Sequence, residues 1–328
     1  MTIRWGFIGA GLVATKALAP AIHASANATL AAVASRELKR AQELSPVRSY
    51  HGTDSYNQII ADPNIDAIYI NLANQQHHQW VISALKGGKH VLCEKPLATN
   101  FSQAKEMADL AKANGKLLIE AAWLRWHPRF QRAIEVVARG DIGDLSKVES
   151  VFSFTADLKD NFRGQAGGGS FLDVGSYQLH LWRALINPWV SPTLQNIDQV
   201  FNENGIDLTT NVTANLEPLE GGLIKLSARS SFIEKENQSA KIIGGLGTIE
   251  FLKGAAFTCW KEISSLKIGN HTEEFPPVDA YQSMVEAVSG RIRGEELWVV
   301  PIQETLDIAQ LSDAIVHNTF KPASEDKL

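Results

Sequence analysis

Residues 3–14 read Ile3-Arg4-Trp5-Gly6-Phe7-Ile8-Gly9-Ala10-Gly11-Leu12-Val13-Ala14. The apolar run Ile3–Ile8 predicts a short buried strand, and the glycines after it predict a tight turn into a helix over residues 12–24. Pro20 lies inside that helix and should kink or shorten it, because proline lacks an N–H and clashes with the preceding turn. A strand, a glycine turn and a helix in this order are typical of the start of a nucleotide-binding domain.

Strands and helices continue to alternate up to about residue 122. Further strands are predicted over residues 29–35, 67–72, 90–93 and 116–122. Helices are predicted between them over residues 36–44, 78–86 and 102–114. This alternation implies a parallel sheet covered on both faces. Residues 1–122 are therefore predicted to form a doubly wound α/β domain of the Rossmann type.

The pattern changes from about residue 146, where strand-like runs follow one another with few helices between them. These runs cover residues 147–155, 207–216, 223–232, 240–243, 248–252 and 257–260. We expect a mostly antiparallel open sheet with a helix over residues 171–185 packed on it, and closing helices over 280–294 and 303–318. Residues 123–328 are thus predicted to form an α+β domain for substrate binding and oligomerisation.

The glycine turn matches the spacing of a dinucleotide-binding fingerprint, with Gly9, Gly11 and Ala14 as its three small residues. The first glycine permits the tight turn, and the second lets the backbone approach a pyrophosphate. Ala14 occupies the third position, where only close packing of helix on strand is needed. An ordinary turn is the alternative, but the position directly after the first strand favours dinucleotide binding.

The end of the second strand bears on which nicotinamide cofactor is bound. An NAD enzyme needs a carboxylate there, about 20 residues past the glycines. Here the strand ends Ala34-Ser35-Arg36, without an acid. Ser35 can donate to a 2′-phosphate and Arg36 can pair with it, which favours NADP. Two alternatives stay open: a small shift of register would bring Glu37 nearby, and Ser35 and Arg36 could be a helix cap and a solvated charge.

Two segments carry candidate catalytic residues. Lys95 lies in Cys93-Glu94-Lys95-Pro96, directly after a strand, at the edge where open α/β sheets bind ligands. Residues 167–180 read Gly167-Gly168-Gly169-Ser170-Phe171-Leu172-Asp173-Val174-Gly175-Ser176-Tyr177-Gln178-Leu179-His180. Asp173 and Tyr177 are four residues apart, so they share one face if the segment is helical. A half-buried structural tyrosine is the alternative for Tyr177.

The EKP segment and the GGGxxxDxGxY segment, behind a GxGxxA turn, resemble the Gfo/Idh/MocA oxidoreductase family. The likeness covers nearly the whole chain and includes Asn74-x-x-His77-x-x-Trp80. Residues 120–128, which read EAAWLRWHP, and Tyr177 are most similar to the branch of dimeric dihydrodiol dehydrogenases and NADP-dependent D-xylose dehydrogenases. Ala73 departs from the family, which usually has proline there, and this affects a loop beside the cofactor.

The resemblance implies hydride transfer between NADP and a hydroxyl or carbonyl carbon of a sugar or cyclic diol. Tyr177 would be the acid/base on the substrate hydroxyl, Lys95 would orient that hydroxyl, and Asp173 would hold the lysine or substrate. A phenol with a reference pKa of about 10 is a poor base at neutral pH. A neighbouring ammonium and an oxidised nicotinamide would favour the phenolate and improve the base.

Further site residues are expected around this centre. The expected cofactor contacts are Gly9, Gly11, Leu12, Val13, Ser35, Arg36, Asn74, His77, Glu94 and Lys95. The expected substrate contacts are Trp123, Arg125, Arg163 and His180. For His180 a structural role is the open alternative, and for Tyr281 packing is favoured over lining the pocket. No metal site is expected.

Composition excludes several other classes. The 328 residues carry a net charge of −5, so no basic surface for nucleic acid or an anionic membrane is expected. No apolar run approaches the roughly 20 residues that span a bilayer. The two cysteines, Cys93 and Cys259, are far apart in the sequence, which does not suit a disulfide framework. With no secretory leader in view, we expect a cytoplasmic homodimer or larger homo-oligomer acting on a small molecule.

Two other functions remain open on the sequence. One is a non-catalytic NADP-binding regulator, which would not need Lys95 and Tyr177. The other is an NAD-dependent glycosidase of the same superfamily, which would oxidise its substrate only transiently and show no net turnover of its cofactor.

Overall fold

The computed structural model describes residues 2–44, 48–52, 54–159, 161–219 and 221–318. The strands are β1 Ile3–Ile8, β2 Ala28–Ser35, β3 Ser49–His51, β4 Ala67–Ile70, β5 His90–Cys93, β6 Leu118–Glu120, β7 Leu145–Thr155, β8 Thr193–Phe201, β9 Asp207–Leu216, β10 Ile224–Ser231, β11 Ile233–Gly244, β12 Thr248–Phe251, β13 Ser264–Ile268 and β14 His271–Phe275. The α-helices are α1 Ala19–Ala24, α2 Leu38–Leu44, α3 Ser55–Ala61, α4 Asn74–Lys86, α5 Phe101–Ala113, α6 Pro128–Ala138, α7 Ser176–Leu185, α8 Ala280–Ile292 and α9 Ile302–Val316. Among these described residues, no helix is long and apolar enough to cross a membrane.

The chain forms two compact units. The first comprises residues up to Trp126 together with Asp279–Leu306, and the second comprises His127–Val278 and the chain from Asp307 onward. The division differs from the predicted one at residue 122, because α8 belongs to the first unit. Hydrogen bonds from Trp5 Nε1 to Ser289 Oγ (3.1 Å) and from Asn27 Nδ2 to the Glu286 carbonyl (2.8 Å) attach α8 there.

The first unit contains the predicted Rossmann sheet. Its six strands run in the order β3-β2-β1-β4-β5-β6, and every neighbouring pair is parallel. Trp5, Phe7 and Ile8 on β1 are fully buried, as expected for the central strand of a sheet covered on both faces. The doubly wound fold is confirmed. Among the described strands of this sheet, only β3 was not predicted, because its side chains are half-exposed or exposed and form no apolar run.

The first helix begins irregularly. A π-helical turn, Ala14–Leu18, precedes α1, and Pro20 lies in the first turn of α1. Proline cannot donate to the carbonyl four residues back and its ring crowds that carbonyl, so widening the preceding turn removes the conflict. The predicted distortion of the helix at Pro20 is confirmed.

The second unit is built on an eight-stranded sheet in the order β14-β13-β12-β11-β7-β10-β9-β8. Only the central pair β7–β10 is parallel, so the predicted mostly antiparallel sheet is confirmed. Alternate residues are buried, as Val148 and Phe152 show on β7 and Leu226 and Ala228 on β10. This alternation gives the sheet one apolar face for the helices and one polar face.

Two features of the second sheet differ from expectation. Residues 257–260 form no strand; Phe257 and Cys259 are 2% exposed, so these apolar side chains fill the core from an irregular loop. β8, β13 and β14 were not predicted. β8 and β14 have largely half-exposed or exposed side chains and therefore lack an apolar run.

Candidate functional site

At two positions of the turn after β1, the structure has room for glycine only. Gly9 has a φ of +96°, and a Cβ there would lie 2.2 Å from the Asn71 carbonyl oxygen. At Gly11 a Cβ would lie 2.4 Å from Asn71 Oδ1. Leu12, at the start of the helix, is 75% exposed, and Val13 is half-buried. Side chains are therefore excluded at Gly9 and Gly11, as expected for the first two glycines of the fingerprint.

The end of β2 presents a cation. Ser35 is buried, and its Oγ accepts a hydrogen bond from the Glu37 amide (3.3 Å). The carboxylate of Glu37 lies 3.3 Å from Arg40 Nε on α2. Arg36 is exposed and makes no ion pair within the described part of the chain. Both charges at this strand end are therefore exposed: Glu37 pairs with Arg40, and Arg36 has no ion-pair partner among the described residues.

The turn after β5 carries Lys95 between buried acids. Glu94 is 7% exposed, and its Oε1 accepts a hydrogen bond from Tyr69 Oη on β4 (2.6 Å). Burial raises the pKa of Glu94, while the Tyr69 hydrogen bond and the Lys95 charge oppose the rise. Glu120 Oε1, at the end of β6, accepts from the Leu97 amide (3.0 Å). These bonds fix the backbone on either side of Lys95, which is half-buried.

His77 and Asn74 lie on the first turns of α4, and both are buried. His77 Nδ1 is 2.9 Å from the Pro96 carbonyl and Nε2 is 3.1 Å from the Leu72 carbonyl. Burial lowers the pKa of His77, although both hydrogen bonds favour the charged ring. Both ring nitrogens face backbone carbonyls, so His77 joins the loop after β4 to the Lys95 turn. The expected contact of His77 with the cofactor stays a prediction.

Trp123 and Arg125 are packed inside the first unit. Trp123 is 3% exposed and stacks on Tyr281 of α8, with ring centroids 4.9 Å apart. Arg125 is 3% exposed, lies 2.8 Å from Glu304 and packs over the Trp298 ring. Arg125 thus has a carboxylate beside it in the first unit, and its expected contact with substrate stays a prediction.

The glycine segment of the second unit packs against a buried acid, Asp207, which no sequence motif contains. Gly169 has a φ of +103°, and a Cβ there would lie 1.9 Å from Asp207 Oδ1. Asp207 Oδ2 accepts hydrogen bonds from Ser170 Oγ (2.6 Å) and the Phe171 amide (2.8 Å). Burial raises the pKa of Asp207, and these hydrogen bonds oppose the rise. Asp207 thereby caps the helical segment that carries Tyr177.

Asp173 pairs with Arg163 inside the same unit. Asp173 lies in a π-helical turn, Phe171–Gly175, that leads into α7, and its Oδ2 is 2.6 Å from Arg163 Nε. The Arg163 guanidinium packs over the rings of Phe154 and Phe162, at 5.6 and 4.8 Å from their centroids. Asp173 was expected to hold lysine or substrate, and Arg163 was expected to contact substrate. In the structure these two residues form an ion pair with each other.

Tyr177 is 8% exposed and lies on the first turn of α7 among aromatic rings. Its ring centroid is 5.6 Å from that of Phe152 on β7 and 6.5 Å from that of Phe257. His180, one turn later, is 1% exposed. The rings of Phe152 and Phe257 pack against the phenol and restrict its position, and acid/base catalysis requires a positioned group.

Within each unit, the predicted residues form coherent groups. The first unit places Gly9, Gly11, Ser35 and Arg36 at the carboxyl ends of β1 and β2. It places Asn74, His77, Glu94 and Lys95 after β4 and β5, at the same edge of the sheet. The second unit brings together Arg163, Asp173 and Tyr177. Phe257 and Asp207 also belong to this second group. No sequence motif contains them, so the sequence does not predict their position there.

Comparison with known proteins gives family matches to both units. Residues 3–122 match the model of an oxidoreductase family with an NAD-binding Rossmann fold, and residues 130–250 match the GFO/IDH/MocA C-terminal domain. The chain is 32% identical to a trans-1,2-dihydrobenzene-1,2-diol dehydrogenase from Mus musculus, over 84% of this chain and 81% of the relative. It is also 32% identical to a D-xylose 1-dehydrogenase (NADP(+)) from Haloferax volcanii, over 95% and 96% of the two chains.

A solved structure shares the fold. A 3-ketoreductase from Actinomadura kijaniata, in complex with NADP and TDP-benzene, superposes with a TM-score of 0.81 over 96% of this chain and 97% of its own. The two sequences are 24% identical, so this likeness concerns the fold alone.

Proposed function

The chain belongs to the Gfo/Idh/MocA family of oxidoreductases, and we propose that it is an NADP-dependent dehydrogenase or reductase acting on a hydroxyl or carbonyl carbon of a sugar or cyclic diol. The observation that carries the proposal is the presence of Lys95 at the ligand-binding edge of the Rossmann sheet together with Tyr177 in an aromatic setting on α7. A binding protein without chemistry would need neither residue.

The residues of the first unit fit NADP. A Cβ at Gly9 or Gly11 would collide with Asn71, so only glycine permits this tight turn into the helix, whose first N–H groups would face a pyrophosphate. Arg36 supplies a cation for a 2′-phosphate at the end of β2, where an NAD enzyme needs a carboxylate. When bound, the nicotinamide would accept or supply the hydride. The protein's own residues would handle the proton and hold the substrate.

In this proposal Tyr177 exchanges the proton at the substrate oxygen, with its Oη as the atom that gives or takes it. Lys95 donates a hydrogen bond to the same oxygen and favours the negative charge that develops there. Arg163 and Asp173 steady the turn before Tyr177 through their ion pair. The Tyr69–Glu94 and His77 hydrogen bonds hold the backbone that carries Lys95.

The substrate class is tested by a screen of D-xylose, other aldoses, inositols and trans-1,2-dihydrobenzene-1,2-diol. Each is incubated with NADP⁺ or NAD⁺ while the reduced nicotinamide is followed by absorbance. We expect turnover of at least one aldose or diol with NADP⁺. A protein that binds NADP⁺ yet reduces none of it with any of these compounds would contradict the proposal and favour a regulator or a glycosidase.

The catalytic roles are tested by Tyr177→Phe and Lys95→Met. Positioned acid/base groups contribute about 10²–10⁴-fold, so Tyr177→Phe should lose that much of kcat and keep its affinity for NADP⁺. Lys95→Met should be similarly severe, and the double variant should cost little more than either single, because the two groups act as one unit.

The matched control is Tyr50→Phe, which also removes one phenol hydroxyl. That hydroxyl bonds Asp62 in a cluster beside β3, apart from the residues assigned to chemistry, so kcat should stay parental. Near-parental turnover in Tyr177→Phe would show that another group carries the proton.

A further inference from the structure

An irregular loop carries one of the rings that pack against Tyr177. Residues 252–263 join β12 to β13 and form neither helix nor strand, so most of their carbonyls are not paired in the sheet. Phe257 lies in the middle of this loop and is 2% exposed. A buried ring on such a segment stays in place only if other groups hold the loop backbone.

A buried guanidinium supplies that support. Arg129, on the first turn of α6, is 2% exposed and donates to the carbonyls of Lys253 (2.9 Å), Ala255 (2.5 Å) and Ala256 (3.2 Å). The guanidinium also packs 5.0 Å from the centroid of the Phe251 ring, which precedes the loop. One side chain thus binds three of the four carbonyls that precede Phe257, and its planar fork suits several acceptors at once. On the other side of Phe257, Gln238 of β11 binds the Thr258 amide (3.1 Å).

The position of Phe257 bears directly on Tyr177. The Phe257 ring stacks on that of Phe152, with centroids 5.8 Å apart and planes 6° from parallel. Tyr177 packs against both rings, so the phenol lies in a corner formed by the sheet on one side and the loop on the other. Displacing the loop would open one wall of this corner.

We propose that Arg129 is a positioning residue for Tyr177, acting through the loop backbone and Phe257. The inference rests on the proposed role of Tyr177 as the proton-exchanging group. Catalysis by a positioned phenol depends on sub-ångström placement of its oxygen, so a loosened wall should lower kcat more than it affects binding. Neither Arg129 nor Phe257 touches the substrate in this account.

The test compares Arg129→Met and Arg129→Lys with Arg132→Met as the matched control. Arg132 lies on the same helix, but its guanidinium pairs with Glu273 (2.9 Å) in a partly exposed ion pair. We expect Arg129→Met to lose roughly tenfold to a hundredfold in kcat with D-xylose or the dihydrodiol, with little change in NADP⁺ affinity. Arg129→Lys should recover part of the loss, and Arg132→Met should be near parental.

A second readout does not depend on turnover. The difference in near-ultraviolet circular dichroism between the parent and Tyr177→Phe isolates the band of Tyr177, which arises from its fixed asymmetric packing. The same difference taken within the Arg129→Met background should be much weaker, and within the Arg132→Met background it should persist. Phe257→Leu serves if Arg129→Met does not fold, and it should reproduce the loss of kcat and of the band.

The results of these experiments distinguish a failure of the positioning role of Arg129 from a failure of the proposed function. Parental kcat and an intact Tyr177 band in both Arg129→Met and Phe257→Leu, or in Phe257→Leu alone if Arg129→Met does not fold, would overturn the positioning role while Tyr177→Phe stays inactive. An active Tyr177→Phe variant would instead overturn the proposed function, whatever the Arg129 variants do.

Discussion

Arg36 and Glu37 are adjacent residues of opposite charge, and their placement bears on cofactor choice. Glu37 pairs with Arg40 one turn along, whereas Arg36 has no ion-pair partner among the residues that the structure describes. Burial raises the pKa of Tyr56, and the charge of Arg36 opposes that rise. An exposed cation without an ion-pair partner in the described chain thus lies at the end of β2.

We predict that Arg36→Ala weakens NADP⁺ binding roughly tenfold or more, because a hydrogen bond to a charged group contributes about 1.5–3 kcal/mol. Binding of NAD⁺, which lacks the 2′-phosphate, should change little. Titration calorimetry with both cofactors measures the two effects. Lys39→Ala removes an exposed cation that pairs with Glu43 on α2 and is the control. An equal loss for both cofactors, or equal affinities in the parent, would refute this role for Arg36.

At the scale of elements, one buried carboxylate joins β3 to the loop after α3. Asp62 accepts hydrogen bonds from Arg48, from Tyr50 Oη (2.8 Å) and from the Asn64 amide (2.8 Å). The Asp62 carbonyl accepts another from Lys89 Nζ (2.6 Å). Burial alone would raise the pKa of Asp62, but the hydrogen bonds to its carboxylate outweigh burial and lower that pKa to about 2.

This shift predicts a specific acid sensitivity. A carboxyl whose pKa is lower in the folded state stabilises the fold above its unfolded pKa of about 3.9, and the contribution is lost as pH falls through about 2. We expect Asp62→Asn to reduce the free energy of unfolding by about 1–2 kcal/mol near neutral pH and much less near pH 2. Urea unfolding at both pH values measures it, and a loss of equal size at both would contradict the assignment.

At the scale of the whole molecule, the eight-stranded sheet has a polar face opposite the face that packs against the helices. Most of its side chains on the inner strands are polar or charged, although Val151 and Ile243 share the face. The polar ones include Lys147, Glu149, Asn211, Thr213, Asn215, Lys225, Ser227, Arg229, Ser239 and Lys241. Several are joined by ion pairs along the sheet, among them Lys147–Glu149 and Arg229–Glu234. A polar sheet face of this kind can form hydrogen bonds with a second polar protein surface.

We predict that this face pairs with a second copy of the chain in a symmetric dimer. In a two-fold contact each substitution occurs twice near the axis, so Ser227→Asp on β10 should place two new negative charges close together and favour the monomer. Light scattering at micromolar concentration measures the mass. Ser102→Asp, on an exposed position of α5 in the other unit, is the control and should leave the mass unchanged. A monomeric parent protein would contradict the prediction.

The Rossmann fold and the place of the glycine turn follow from the sequence, because both depend on local patterns. Apolar runs alternating with helical periodicity define a parallel sheet wherever they occur. Gly9 requires a positive φ that other residues rarely adopt, and the EKP turn follows its strand directly, so Lys95 must lie at the sheet edge. Local pattern did not reveal β3, β8, β13 or β14, which are short or largely polar.

Only the tertiary structure determines which residues surround those of the candidate site. Asp207 caps the segment before Tyr177 from 36 residues away, and Arg129 holds the Phe257 loop across 124 to 127 residues. The sequence predicts that Arg125 and Arg163 contact substrate, and in the fold each also has a carboxylate partner. Burial makes an unpaired charge or carbonyl costly, so the folded chain supplies partners from distant segments, and no local pattern specifies which ones.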